Sequence, residues 1–180
     1  WEVDPARTVT GTAETTPDEF RAQTCAGKKW VPFAKGGEYS PYYADVHLVV
    51  NWGNDGEELR EFPRAYIRNE GCYFRPGLTW PLRTNGLSFR VMPKGCIFGH
   101  KGPTIFVEND VSATLLKLSG IAQSITFNYL VSALTARVTL AQSYEVGLIQ
   151  SIPVPKIPEL KTKVLDNCTN IAISIPEKIQ

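Results

Sequence analysis

Apolar and polar positions alternate between Val46 and Trp52. Val46, Leu48, Val50 and Trp52 take turns with His47, Val49 and Asn51, the two-residue period of a strand. Gly53-Asn54-Asp55-Gly56 ends it as a turn, and Glu57 to Phe62 is expected to form a short helix. From Cys72 to Val107 the chain reads as strand and turn. Leu87, Phe89 and Val91 are expected in the core, with Ser88 and Arg90 on the opposite, outer face. Ile105 and Val107 continue the sheet. After Asn109-Asp110 the period becomes helical. Leu115, Leu116 and Leu118 predict one helix, interrupted by Gly120, and Ile121, Ile125, Tyr129, Leu130 and Leu134 give the apolar face of a second. Tyr144 to Ile149 reads as a last strand, and Pro153, Pro155 and Pro158 force an extended exit. Leu160, Val164, Leu165, Cys168 and Ile171 have the spacing of a terminal amphipathic helix.

Near the start, Thr16-Pro17-Asp18-Glu19 has the composition of a helix N-terminus: Thr16 to cap, Pro17 in the first turn and Glu19 to complete a capping box. That helix should stop by Gly27. Lys28-Lys29-Trp30 and Lys35-Gly36-Gly37 are expected to flank a Pro-containing turn. The expected fold is therefore α+β, a twisted, mostly antiparallel sheet of short strands with C-terminal helices packed on it. Residues 1–26 read as a linker and helical segment, 27–158 as the main domain, and 159–180 as the amphipathic helix and tail.

Composition narrows the class. Of 180 residues, 43% are hydrophobic and 21% charged, the proportions of an ordinary globular protein. The longest apolar runs, such as residues 46–50, are too short to cross a bilayer, so no membrane partner is expected. Opening on Trp1 with Met92 as its one methionine, the sequence reads as an excised or processed piece. Cys25, Cys72, Cys96 and Cys168 form no C-x-x-C pair, which argues against a zinc site and for free thiols in the cytoplasm.

Charge is distributed unevenly, and this changes the picture. Residues 60–101 hold eight Lys and Arg against two Glu, while the first 24 residues hold five acids against two arginines. A nearly neutral chain with one basic block points to a localised surface for a polyanion. Around one expected hairpin stand Arg83, Asn85 and Arg90, residue types that read guanine and adenine edges in the major groove. Lys94 and Lys101 lie in turns suited to phosphate contacts. Lys28, Lys29, Lys35, Arg75 and His100 complete the expected DNA-binding set. Trp80 either stacks on a base or buries its ring beside Pro81, with burial favoured. His47, without an acid or nucleophile nearby in sequence, reads as structural.

The motifs of a complete enzyme are missing. There is no G-x-S-x-G, P-loop, H-E-x-x-H or glycine-rich cofactor loop. No catalytic or metal-binding residue is expected.

Gly77-Leu78-Thr79-Trp80, Phe89-Arg90-Val91, Pro93-Lys94-Gly95, Phe98 and Gly102 resemble the target recognition domain of large adenine-specific DNA methyltransferases. These are enzymes of BREX-like and DISARM-like phage defence and of fused type II restriction–modification systems. Leu115-Leu116 through Tyr129-Leu130, with Tyr144-Glu145-Val146-Gly147 and Ile152-Pro153-Val154-Pro155, resemble the end of that domain, as in type I specificity subunits. The likeness covers roughly residues 27–158. It implies a domain that grips double-stranded DNA, while a separate catalytic domain of the same parent chain binds S-adenosylmethionine and methylates a flipped adenine. The Asn-Pro-Pro-Tyr type motif and the cofactor loop of that catalytic domain are absent here, so no cofactor is expected in these residues. The alternative is a domain whose basic face docks a partner subunit without reading DNA.

Overall fold

The computed structural model describes residues 3–135 and 142–156. The expected helix at 159–180, with Pro158 and Cys168, lies outside them. Helix α1 (Pro17–Cys25) begins with the anticipated box: Thr16 accepts from the Glu19 N–H, and the Glu19 carboxylate accepts from the Thr16 N–H. It is followed by Gly27 at φ +99°. Phe20 from α1 and Val9 pack with Val31, Trp52, Tyr73, Phe74 and Ile97 in one core cluster. Val9 and Phe20, from the first 26 residues, thus share a cluster with residues of the segment 27–158.

Strand β1 (Trp30–Ala34) replaces the expected Pro-containing turn. Pro32 fits because N–H groups alternate in direction along a strand. Phe33 donates to the Leu48 carbonyl on one side, so the missing Pro32 N–H faces the other side, in the gap between the Thr8–Trp30 bridge and the Phe33–Ile97 pair. The strand read at residues 46–52 shortens to β2 (Val49–Asn51). Helix α2 (Gly53–Glu61) has left-handed, non-helical backbone at Asn54, Asp55 and Gly56, so the turn read from sequence is present there as a kink and the expected short helix follows it from Glu57.

The strand-rich region supplies β3 (Gly77–Thr79), β4 (Arg83–Thr84), β5 (Arg90–Met92), β6 (Ile97–Phe98) and β7 (Thr104–Ile105). Helices α3 (Ser112–Ala122) and α4 (Ile125–Leu134) follow, then β8 (Gln142–Ser143) and α5 (Val146–Gln150). The architecture is mixed α and β, but the single expected sheet is three small ones among the described residues. They run β2-β1-β6, β5-β3-β7 and β4-β8, and β1 with β6 is a parallel pair.

Four local expectations are corrected. Gly120 does not interrupt α3, which runs through it to Ala122. Val107 leaves the sheet to precede a short 3-10 turn. Tyr144 to Ile149 is not a strand: backbone bonds from Leu148 and Ile149 back to the Glu145 carbonyl wind α5, which turns Ile149 and Ile152 into the core. Helix α4 buries Phe127 and Val131, whereas Ile125 is 89% and Tyr129 71% exposed. Both faces of α4 are apolar, so spacing alone could not phase it. Contact decides, with Phe127 edge-on to Phe89 at 6.0 Å. The main core joins Leu78, Trp80, Leu87 and Phe89 to Leu115, Ile121, Phe127, Val131, Ile149 and Ile152, seating the C-terminal helices against the β3–β5 region.

Candidate nucleic-acid interface

Lys35, Arg83, His100 and Lys101, four of the eleven residues singled out by sequence, line one open cleft of ≈ 600 Å³. His47, Gly36, Gly37, Leu48, Pro81, Leu82 and Glu145 complete it. Three permanent cations and both histidines of the chain face a single carboxylate there. Such a concentration of one sign raises the local density of anions.

The cleft is assembled from distant segments by backbone contacts. Leu82 donates to the Lys101 carbonyl at 3.1 Å and accepts from the Tyr144 N–H at 2.7 Å. Gly99 donates to the Ala34 carbonyl at 3.1 Å. Segments 34–37, 81–83, 99–102 and 143–145 are thereby held together, with β4 pairing Arg83 to Ser143. Gly36 has a reason to be glycine. Its φ is +94°, and a Cβ there would stand 2.2 Å from the Lys101 carbonyl oxygen.

The other expected site residues lie elsewhere. Arg90 is buried, against its expected place on an outer face, as is Ser88. Both faces of this segment are covered, one by the main core and the other by residues 37–43. The Arg90 guanidinium donates to the Glu38 carbonyl at 3.3 Å, close beneath Gly37, and burial lowers its pKa. Its position supports the loop that carries Lys35. The expected hairpin linking Arg83 to Arg90 is absent, because β4 pairs with β8 and β5 with β3. Asn85 remains exposed just beyond β4.

Trp80 is 1% exposed, packed on Phe89 at 5.2 Å, and donates its indole N–H to the Tyr144 carbonyl at 2.8 Å. Of its two readings, burial describes the structure. Arg75 is held by Asp110 at 2.7 Å, by the Val107 carbonyl, and over the Phe106 ring. Lys94 donates to the Ala13 carbonyl at 2.6 Å. Lys28 donates to the Thr8 carbonyl, and Lys29 pairs with Glu58 at 3.6 Å, both around a separate shallow depression beside α2. His47 and Glu145 were missed as cleft residues. His47 lies in the irregular chain before β2 and Glu145 stands before α5, so neither carried a local signal.

No family model matches the chain. The chain is similar to adenine-specific methyltransferases. It is 31% identical to the adenine-specific methyltransferase BrxX of Escherichia coli O9:H4 (strain HS) over 163 residues, 90% of this chain and 13% of that protein. It is 26% identical to the adenine-specific methyltransferase PglX of Lacticaseibacillus casei (strain Zhang) over 137 residues, 72% of this chain and 11% of that protein. The chain thus spans only a small part of the length of these relatives. Among the described residues no helix is long and apolar enough to cross a membrane.

Proposed function

We propose that the chain is the duplex-reading unit of an adenine-N6 DNA methyltransferase of a bacterial restriction–modification or phage-defence system, working in the cytoplasm. In this reading it serves as a target recognition domain related to those of type I specificity subunits. A separate domain of the same parent chain binds S-adenosylmethionine and carries the catalytic residues. The observation that carries the proposal is the cleft in which Lys35, Arg83 and Lys101 converge with one opposing acid. The similarity to BrxX and PglX supports the methyltransferase setting. Within the cleft, Lys35 and Lys101 suit phosphates, since an ammonium is a compact point charge. Arg83, with exposed Asn85 beside it, suits base edges. His100 is a further phosphate contact in the cleft, Lys28, Lys29 and Lys94 are peripheral ones in this scheme, and Arg90 and Trp80 support the surface from beneath.

Titration of labelled duplex DNA with the chain at increasing salt tests the reading. With four to six phosphate contacts, log affinity should fall against log salt with a slope of about −4 to −5. Replacing Lys35, Arg83 and Lys101 together by Ala should make the slope shallower by about 1.8, from the two lysine–phosphate contacts, and lower affinity further through the lost base contact. An unchanged slope in the triple variant would refute the cleft as the footprint. The exposed apolar face of α4, on a helix without a charged residue, favours a protein contact there, away from the cations.

A further inference from the structure

We infer that residues 62–68 form a second nucleic-acid contact, specific for unpaired strands and separate from the duplex cleft. Phe62, Arg64, Tyr66 and Arg68 are all exposed, while Ala65 and Ile67 between them are partly covered. From Arg64 to Arg68 this is the two-residue alternation of an extended segment that belongs to none of the three sheets. Phe62 and the exposed Pro63 precede it in a turn closed by the Ala65 N–H on the Phe62 carbonyl at 2.9 Å. Ile67 packs on the Trp52–Phe74 cluster. Both ends are anchored. Arg60 bridges to Glu70 from the preceding helix, and Arg21 donates to the Glu70 carbonyl at 2.6 Å. This base therefore presents the Tyr66 ring between the Arg64 and Arg68 guanidinium groups, with the exposed Phe62 ring in the turn just before them.

Their chemistry selects the partner. Tyr66 is 72% and Phe62 56% exposed, an unfavourable position for rings unless something stacks on them. The Arg68 guanidinium lies 4.2 Å from the Tyr66 ring centre and covers one face, leaving the other open. No acid occurs between Phe62 and Asn69, and the ion pairs of the described residues involve neither Arg64 nor Arg68. Open rings interleaved with uncommitted cations bind single strands, whose unstacked bases offer a π-face beside each phosphate. Duplex DNA keeps those faces stacked inside. None of the four residues lines the basic cleft.

The test is fluorescence anisotropy of a labelled 15-nucleotide oligothymidylate titrated with the 180-residue chain, beside a labelled duplex. Tyr66→Ala should weaken oligothymidylate binding about tenfold, equivalent to about 1.4 kcal/mol, and Tyr66→Phe should restore it. Arg64→Ala with Arg68→Ala should make the single-strand salt slope shallower by about 1.4, at about 0.7 per contact. Duplex affinity should be unchanged by Tyr66→Ala. The cleft triple variant should show the reverse pattern, so the two readings fail separately. No oligothymidylate binding by the parent chain overturns the inference. So does full binding by Tyr66→Ala, which would leave the edge as a protein-docking element, or equal weakening of duplex and single strand.

Discussion

Replacing Trp80 by Phe separates a residue that supports the surface from one that touches DNA. The indole N–H is bonded to the Tyr144 carbonyl at 2.8 Å in a site 1% exposed to solvent. Phe leaves that carbonyl buried without a partner, which costs about 1–3 kcal/mol. The smaller ring also removes three heavy atoms from contact with the core, at roughly 0.8 kcal/mol each, or about 2 kcal/mol. The expected loss is about 3–5 kcal/mol, a large share of the roughly 5–15 kcal/mol typical of a domain. At about 2–4 °C per kcal/mol for a chain of this size, Tm should fall by roughly 10 °C. Circular dichroism during thermal and urea unfolding measures this. At a temperature where both proteins are folded, duplex affinity should stay within about threefold, under 1 kcal/mol. A variant with less than about 1 kcal/mol of lost stability but a tenfold weaker grip on duplex would refute the assignment and place Trp80 against the DNA.

Gly36→Ala forces a Cβ to within 2.2 Å of the Lys101 carbonyl at φ +94°, so it should cost roughly 1–3 kcal/mol or more and weaken duplex binding by parting the loops that carry Lys35 and Lys101. Urea unfolding and anisotropy read the two effects, and an unaltered midpoint would contradict the close approach. The buried Cys96 thiol is pushed up to about 12 by desolvation, so at pH 8 only roughly one in ten thousand is ionised. Exposed Cys25 should therefore react with a maleimide long before Cys96, as peptide mapping will show, and Cys96 should be labelled at the rate of unfolding.

Local sequence determined the features whose physics is local. Thr16 and Glu19 cap α1 because the two bonds close within one turn. The concentration of Lys and Arg in residues 60–101 is likewise a property of the chain before it folds. That helices follow Asn109-Asp110 is legible in the apolar spacing, and so is the presence of short strands between Cys72 and Val107. Neither the boundary of those helices nor the buried face of α4 is. Tertiary structure decided the rest. Strands of two or three residues hold too few alternations to choose a partner, so β4 joins β8 across the helices instead of turning back to β5. Arg90 alternates correctly with Phe89 and Val91, yet residues 37–43 cover its face and bury it. Phe127 rather than Ile125 enters the core because the Phe89 ring is there to meet it. The cleft has the same origin: Lys35, His47, Arg83, Lys101 and Glu145 share no local pattern, and meet because backbone bonds of Leu82, Gly99 and Phe33 and a missing Cβ at Gly36 hold five separate segments together.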